Sequence, residues 1–156
     1  MMEEQMHLSV TPRLSLGTSV SNEEFNIGML NNGIGPAEVV TTEIKIDDEP
    51  MPNWQSVFHK LDSTKNYPKG LSTSKLNDIL IGEQKYWGII SITDTTWVKV
   101  FAKNKSRISI RICYKSLFED WYEVTRNTME VKGAVVTKKI EKNTIPPQNG
   151  FWRNTE

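Results

Sequence analysis

The side chains of this sequence that could do covalent chemistry are few. Cys113 is the only cysteine, and its thiolate would be a nucleophile if His59 activated it. Arg111 and Lys115, two positions away on either side, are expected to lower the pKa of the thiol. His59, however, belongs to a predicted helix on whose solvent side it lies, and no pattern ties it to Cys113. Nucleophilic catalysis is therefore disfavoured, and a single cysteine also rules out an internal disulfide.

Two groups of adjacent carboxylates offer acid–base or metal chemistry. Glu119 and Asp120 resemble a catalytic pair by type, but neighbouring residues on a strand or turn point apart. A small hydrolase using Glu119, Asp120 or Cys113 is the least favoured function. Asp47, Asp48 and Glu49 concentrate negative charge, yet their spacing is not that of a calcium loop. We expect a solvated turn there, and no metal or cofactor.

The tryptophans indicate a different class of function, because exposed coplanar indole rings can stack on sugar faces. Four of the five tryptophans are candidates for contact with a ligand or partner: Trp87, Trp97, Trp121 and Trp152. Trp54 is instead expected in the core. A carbohydrate-binding module using exposed tryptophans is therefore the main alternative to the function favoured below.

The charge balance excludes one class of partner. The chain has 19 basic and 19 acidic residues, and so lacks the excess of Lys and Arg that drives binding to nucleic acid. The total hides an asymmetry: residues 1–78 hold 6 basic and 11 acidic side chains, a balance of −5, and residues 79–156 hold 13 and 8, a balance of +5. We expect the two halves to interdigitate in the fold, which would leave an ordinary mixed surface.

Hydrophobic periodicity predicts mostly strands. Alternating apolar residues, interrupted by Pro12 and Gly17, predict an edge strand with a bulge or bend within 8–20. Similar alternation or β-branched runs predict further strands at 25–29, 39–46, 86–92 and 107–114, and a final hairpin of 121–124 with 129–136. Residues 63–74 have the composition of a loop. The longest apolar run is far shorter than the roughly 18 to 20 residues of a membrane span.

Two segments have the period of a helix instead. Trp54, Val57, Phe58 and Leu61 share one helical face, and Asn53 is a suitable N-cap. A second short helix, capped at Asp94 and carrying Trp97, Val98 and Phe101, competes with a strand over the same residues. Short strands with so few helices predict a mainly β fold, an antiparallel immunoglobulin-like β-sandwich with one or two short connecting helices.

The 156 residues are expected to form a single domain. Its core should span about residues 8–136, followed by a polar C-terminal tail at 137–156 with Phe151 and Trp152 as apolar anchors.

Four residues have expected structural roles at strand ends. Gly33 and Gly35 permit backbone angles closed to other residues, and Pro36 stiffens the chain as it enters the next strand. Tyr114 ends the strand at 107–114 on its inward face. Its ring should be buried and its hydroxyl should meet a backbone partner, as in the tyrosine corner of sandwich folds.

Two motifs carry a resemblance to known proteins. The run N-N-G-I-G-P-A at residues 31–37 resembles the N-x-G-x-G-P-A turn of uncharacterised bacterial membrane-anchored proteins. The run I-R-I-C-Y-K-S-L-F at 110–118, followed by Trp121, resembles the I-C-Y-x-S strand end and following tryptophan of the same group. The resemblance covers about residues 8–136. Some members carry further cysteines where this chain has Lys115 and Asp120, so no disulfide is carried over.

The resemblance implies a fold and a location. In that group an N-terminal transmembrane helix precedes a β-sandwich domain of unknown activity. The favoured function is accordingly a non-enzymatic interaction or sensory domain, the extracytoplasmic part of a membrane-anchored bacterial protein, with an unknown protein or glycan partner. The expected location is the periplasm or cell surface, with contact to a membrane only through an N-terminal anchor, or the cytoplasm if the chain is complete.

Overall fold

The strands of the protein form two antiparallel sheets, as described for residues 10–130, 133–144 and 151 in a computed structural model. The first sheet contains β1 (Leu14–Val20), β2 (Phe25–Asn31), β5 (Ser72–Thr73) and β7 (Tyr86–Ile92), in the order β1-β2-β7-β5. The second contains β3 (Ala37–Ile46), β4 (Glu49–Pro50), β6 (Ile79–Ile81), β8 (Ile108–Lys115), β9 (Trp121–Arg126) and β10 (Val135–Ile140). Its order is β10-β9-β8-β3-β4, with β6 also paired to β3.

Two helices connect the sheets, and both begin at the predicted caps. Helix α1 (Trp54–Leu61) starts where the Asn53 side chain accepts a hydrogen bond from the Ser56 amide, 2.9 Å away. Helix α2 (Thr95–Lys103) starts where Asp94 accepts one from the Thr96 amide at 3.1 Å. The competing strand prediction over α2 is wrong, because Trp97, Val98 and Phe101 are buried together on one helical face.

The mainly β, antiparallel sandwich with two short helices is therefore confirmed. The strand orders β1-β2-β7-β5 and β9-β8-β3 match the ABED and GFC orders of immunoglobulin domains. The strands β4, β6 and β10 and both helices are additions to that order, and the immunoglobulin-like assignment itself stays a prediction.

Three local predictions need correction. The last strand is β10, Val135–Ile140, so residues 137–140 are a strand and not part of a tail. Met129, which was expected to begin that strand, is instead buried in the preceding connection, where its amide donates to the Lys105 carbonyl at 2.9 Å. The irregularity expected in β1 lies between β2 and β7, at Ile27/Gly28, whereas β1 pairs regularly with β2.

The core lies between the two sheets and under the helices. Buried residues of β1, β2, β7, β3 and β8 and the buried faces of both helices belong to one hydrophobic cluster. Phe58 joins the helices, with its ring centroid 5.0 Å from that of Trp97 and 5.5 Å from that of Phe101. Trp54 is buried, as predicted.

The edge strand β1 is fastened to the second sheet by two buried polar side chains. Its Leu14 amide donates a hydrogen bond to the Tyr114 hydroxyl, and its Leu16 carbonyl accepts one from the Arg126 guanidinium at 3.1 Å. Arg126 also donates to the carbonyls of Thr128 and Glu130. These contacts tie an edge strand with only one sheet neighbour to the opposite layer.

The two charge halves interdigitate, as expected. Strand β3 from the acidic half pairs along its length with β8 from the basic half. Ion pairs cross between the halves, among them Arg107 with Asp47 at 2.6 Å and Lys115 with Glu38 at 3.4 Å. Neither described helix, at 8 and 9 residues, is long and apolar enough to cross a bilayer.

Candidate functional site

The candidate tryptophans do not form an exposed platform. Trp97 is buried at 1% exposure, and its indole Nε1 donates to the Asn66 carbonyl at 2.7 Å, so the expectation that it is exposed is wrong. Trp87 is half-buried and donates to the Lys75 carbonyl at 3.0 Å. Trp121 is half-buried as well, with the ammonium groups of Lys115 and Lys142 over its ring, 5.5 and 5.9 Å from the centroid. Trp152 lies outside the described residues.

Cys113 is not an accessible nucleophile. It is 1% exposed, although it lies on the outward face of β8. Burial raises the pKa of the Cys113 thiol, and this effect outweighs that of Arg111, so the predicted lowering is wrong. His59 is exposed on α1, as predicted.

The Glu119 and Asp120 carboxylates have separate partners. Glu119 is 71% exposed and pairs with Lys115 at 3.4 Å. Asp120 is 18% exposed and pairs with Lys139 at 3.5 Å. Glu119 itself has a left-handed backbone, φ 60°, which turns the chain between β8 and β9. The two carboxylates and Cys113 therefore do not form the acid–base or nucleophilic site considered for a hydrolase.

The acidic turn after β3 is tied to an arginine. Asp47 and Asp48 have left-handed φ angles of 53° and 64°, which shape the hairpin between β3 and β4. The Arg107 guanidinium donates two hydrogen bonds to the Asp47 carboxylate, at 2.8 and 2.6 Å, and lowers its pKa. Within the described part of the chain, no group of three or more His, Cys, Asp or Glu residues is placed to hold a metal ion.

The turn before β3 is a structural element. Gly35 has φ +81°, as predicted, whereas Gly33 is required for space and not for its φ: an added Cβ would lie 2.4 Å from the Arg13 nitrogen and the Thr11 oxygen. Pro36 directly precedes β3. The buried Asn31 side chain holds this turn together. It accepts from the Arg13 and Gly33 amides and donates to the Gly35 and Ile81 carbonyls.

Tyr114 has the predicted structural role. Its ring is fully buried and stacks on Tyr122, with centroids 5.5 Å apart. Its hydroxyl meets a backbone partner, the Leu14 amide, at 3.3 Å. Burial raises the pKa of Tyr114 to about 12.

A concave surface lies around α2, and Trp97 is the one candidate residue that lines it. Its first part, about 660 Å³, lies between the 64–70 loop and the start of α2, residues 93–97. Its second part, about 500 Å³, continues between the end of α1 and the exposed side of α2. The two parts share Lys65, Thr95 and Thr96. We call these two adjoining parts together the α2 groove.

Hydrogen bonds fix the wall of the α2 groove. The 64–70 loop is tied to α2 and its preceding residues by Trp97 Nε1 to Asn66 O at 2.7 Å, Lys69 N to Asp94 Oδ2 at 3.1 Å, and Thr93 Oγ1 to Gly70 O at 3.1 Å. Gly70 has φ +65°, and a Cβ there would lie 2.6 Å from Thr93 Oγ1. The wall is therefore set before any ligand arrives, which reduces the ordering cost of binding.

The groove carries a net positive charge. Four lysines line it, Lys65, Lys69, Lys99 and Lys103, against two aspartates, Asp62 and Asp94, a formal balance of +4 − 2 = +2. Lys65 pairs with Asp62 at 3.6 Å, and hydrogen bonds from Thr64 lower the pKa of that aspartate. No carboxylate of the described residues forms an ion pair with Lys69, Lys99 or Lys103.

The sequence carries only weak signals of this groove. The spacing of Thr95, Lys99 and Lys103 at i, i+4 and i+8 puts them on one face of α2, and that pattern is visible in the sequence. The opposite wall comes from the 64–70 loop, whose position depends on contacts between residues far apart in the chain.

Comparisons with protein-family models, curated proteins and solved structures found no match.

Proposed function

We propose that the chain is a non-enzymatic interaction domain that binds a partner in the α2 groove. One observation carries the proposal: hydrogen bonds fix the wall of the first part of the groove, and three lysines along the groove have no carboxylate partner among the described residues. A preformed concave surface with unpaired charge favours binding of an oppositely charged ligand.

A titration followed by NMR tests this function. The amide resonances of the full chain would be recorded with an acidic oligosaccharide, its neutral counterpart and a glutamate-rich peptide. We expect at least one probe to shift the amides of Thr95, Thr96 and Lys99 and to be recovered unchanged. The proposal is wrong if all three leave these amides unmoved, or if a probe is converted to product.

We further propose, from the motif resemblance, that this domain works outside the bacterial cytoplasmic membrane. Protease digestion of intact spheroplasts that express the native gene tests the location. An extracytoplasmic domain is degraded while a cytoplasmic marker survives. Survival of both until the cells are lysed would place the domain in the cytoplasm.

A further inference from the structure

We infer that the ligand of the α2 groove is a linear acidic polysaccharide, with anionic groups recurring along a chain of hydroxyl-rich rings. The inference rests on the proposed function and names its ligand class. Three properties of the groove support it: the placement of its lysines, the hydrogen-bonding groups between them, and the character of its exposed apolar surface.

The lysines suit a ligand with repeated charge. Lys99 and Lys103 lie one helical turn apart on α2, a rise of about 6 Å, and Lys69 lies at the other end of the groove. All three are exposed. An ammonium group accepts a carboxylate or sulfate from many directions, so a row of lysines binds successive anions of a polymer without demanding one exact geometry.

The two aspartates of the groove already have partners within the protein. Both oxygens of Asp94 accept backbone hydrogen bonds, Oδ1 from Thr96 at 3.1 Å and Oδ2 from Lys69 at 3.1 Å. Asp62 is bound by Thr64 and Lys65. Lys65 offsets the charge of Asp62, whereas Asp94 keeps its charge, so the groove retains the formal balance of +2 that Lys69, Lys99 and Lys103 give it.

Neutral polar groups fill the space between the charges. Thr64, Asn66, Thr93, Thr95 and Thr96 line the first part of the groove. The Thr64 and Thr93 hydroxyls already donate to Asp62 and to the Gly70 carbonyl, and so can only accept from a ligand. The Asn66 amide and the Thr95 and Thr96 hydroxyls can both donate and accept hydrogen bonds, as the hydroxyls of a sugar ring require. A simple anion has no hydroxyl groups to donate hydrogen bonds, so the hydrogen-bond acceptors beside the lysines favour a hydroxyl-rich ligand.

The exposed apolar surface separates a glycan from a protein partner. Tyr67 is 47% exposed, and its ring meets Phe58 edge to face, with centroids 5.3 Å apart. It is the one large hydrophobic residue lining the described groove that is substantially exposed, since Leu61 is 9% exposed and Val100 is half-buried. Protein partners anchor apolar side chains in apolar pockets, which this groove lacks, whereas a single ring suits the C–H face of a sugar.

The test compares an acidic polysaccharide with its uncharged form and with two anionic polymers of different chemistry. Calorimetric titration of the full chain compares polygalacturonate with the same polymer after full methyl esterification, which removes the charge and keeps the rings. Polyglutamate and a single-stranded oligonucleotide of matched charge are the other probes. We expect polygalacturonate to bind at least tenfold more tightly than each of the three, with affinity falling as salt is added. Equal or tighter binding of polyglutamate or the oligonucleotide would overturn the inference.

Paired variants locate the binding. Lys99→Gln/Lys103→Gln should weaken polygalacturonate binding about tenfold, and Tyr67→Ala should weaken it severalfold. The control Lys75→Gln/Lys85→Gln removes the same charge from exposed lysines outside the groove and should change affinity less than twofold. Thermal melts exclude unfolding. An equal loss in both lysine pairs would contradict the inference.

The two proposals fail in different ways. If polyglutamate shifts the amides of Thr95, Thr96 and Lys99 and no polysaccharide does, the interaction domain stands and the glycan ligand is wrong. If no probe shifts them, both are wrong.

Discussion

The Leu14 amide donates a hydrogen bond to the Tyr114 hydroxyl at 3.3 Å, and this contact joins residues 100 positions apart. Leu14 begins the edge strand β1 of one sheet, and Tyr114 lies near the end of β8 inside the other. An edge strand leaves every second amide without a partner in its own sheet. The tyrosine satisfies one such buried amide and links the two layers.

Replacing Tyr114 by phenylalanine should destabilise the fold. Tyr114→Phe keeps the buried ring but leaves the Leu14 amide without its partner, which costs about 1 to 2 kcal/mol. Urea unfolding followed by circular dichroism measures the free energy of unfolding. Tyr122→Phe is the matched control, because Tyr122 is half-buried in the same stack, and should cost less than about 0.5 kcal/mol. Equal losses would show that the Leu14 contact contributes nothing.

The same tyrosine should make stability fall at high pH. Its pKa is about 12 in the folded protein against 10.0 for an unperturbed tyrosine. Because the folded state disfavours the phenolate, the stabilisation is complete below pH 10 and is lost as pH rises toward 12, by up to about 1.4 kcal/mol per pH unit. The free energy of unfolding of the wild type should therefore fall more steeply over this window than that of Tyr114→Phe. If the free energy of unfolding falls with pH equally steeply in both proteins, the prediction is wrong.

Replacement by alanine should lower the stability of the protein at Gly33 but not at Gly17. A Cβ on Gly33 would lie 2.4 Å from backbone atoms of Thr11 and Arg13, whereas one on Gly17 meets nothing within 4 Å. Gly33→Ala should cost about 1 to 3 kcal/mol. Gly17→Ala should be neutral or slightly stabilising, since alanine restricts the unfolded chain. Thermal melts of both variants test this, and a Gly33→Ala protein as stable as wild type would refute the close approach.

The fold was predictable where periodicity is strong. The period of α1 and the alternation of β8 both appear directly in the sequence, because one face of each element is buried. Strand β6 has only three residues, too few to show alternation. Strand β10 is at the sheet edge and its residues are exposed or half-buried on both faces, so it carries no apolar pattern.

The site was less predictable, for a physical reason. Residue type does not distinguish a buried tryptophan such as Trp97 from an exposed one, because the indole ring suits both environments. The wall of the α2 groove depends on where Asn66 and Lys69 meet Trp97 and Asp94, 31 and 25 positions along the chain. Such contacts follow from the completed fold and leave no local pattern.

The Cys113 thiol should be unreactive in the folded protein. It is 1% exposed, and burial raises its pKa, so both access and the thiolate fraction are low. Labelling with an aromatic disulfide reagent should be slow in buffer and fast in denaturant, with a native rate that follows unfolding. Cys113→Ser gives the background. Rapid labelling of the folded protein near neutral pH would contradict the structure and reopen a nucleophilic role.

Phe151 and Asn77 supply hydrogen-bond partners to the backbone of Thr42, which lies in β3 between the residues paired with β6 and those paired with β4. Its amide donates to the Thr42 carbonyl at 3.1 Å, and its carbonyl accepts from Asn77 Nδ2 at 3.1 Å. The Asn77 Oδ1 in turn accepts from the Thr42 amide at 3.0 Å. The Phe151 ring, 3% exposed, packs edge to face on Trp54 with centroids 4.8 Å apart. This confirms Phe151 as an apolar anchor of the C-terminal segment.

Removing this ring should destabilise the protein and disturb the groove. Phe151→Ala should cost about 3 to 5 kcal/mol, the usual loss for a buried phenylalanine, and Phe151→Leu should restore part of it. The ring contacts continue from Trp54 to Phe58 at 6.3 Å and from Phe58 to Trp97 at 5.0 Å. The indole N–H resonance of Trp97 should therefore shift in Phe151→Ala, and less in Phe151→Leu. An unchanged free energy of unfolding would show that Phe151 does not anchor the segment, and an unchanged Trp97 resonance in a destabilised protein would show that the anchor and the groove are independent.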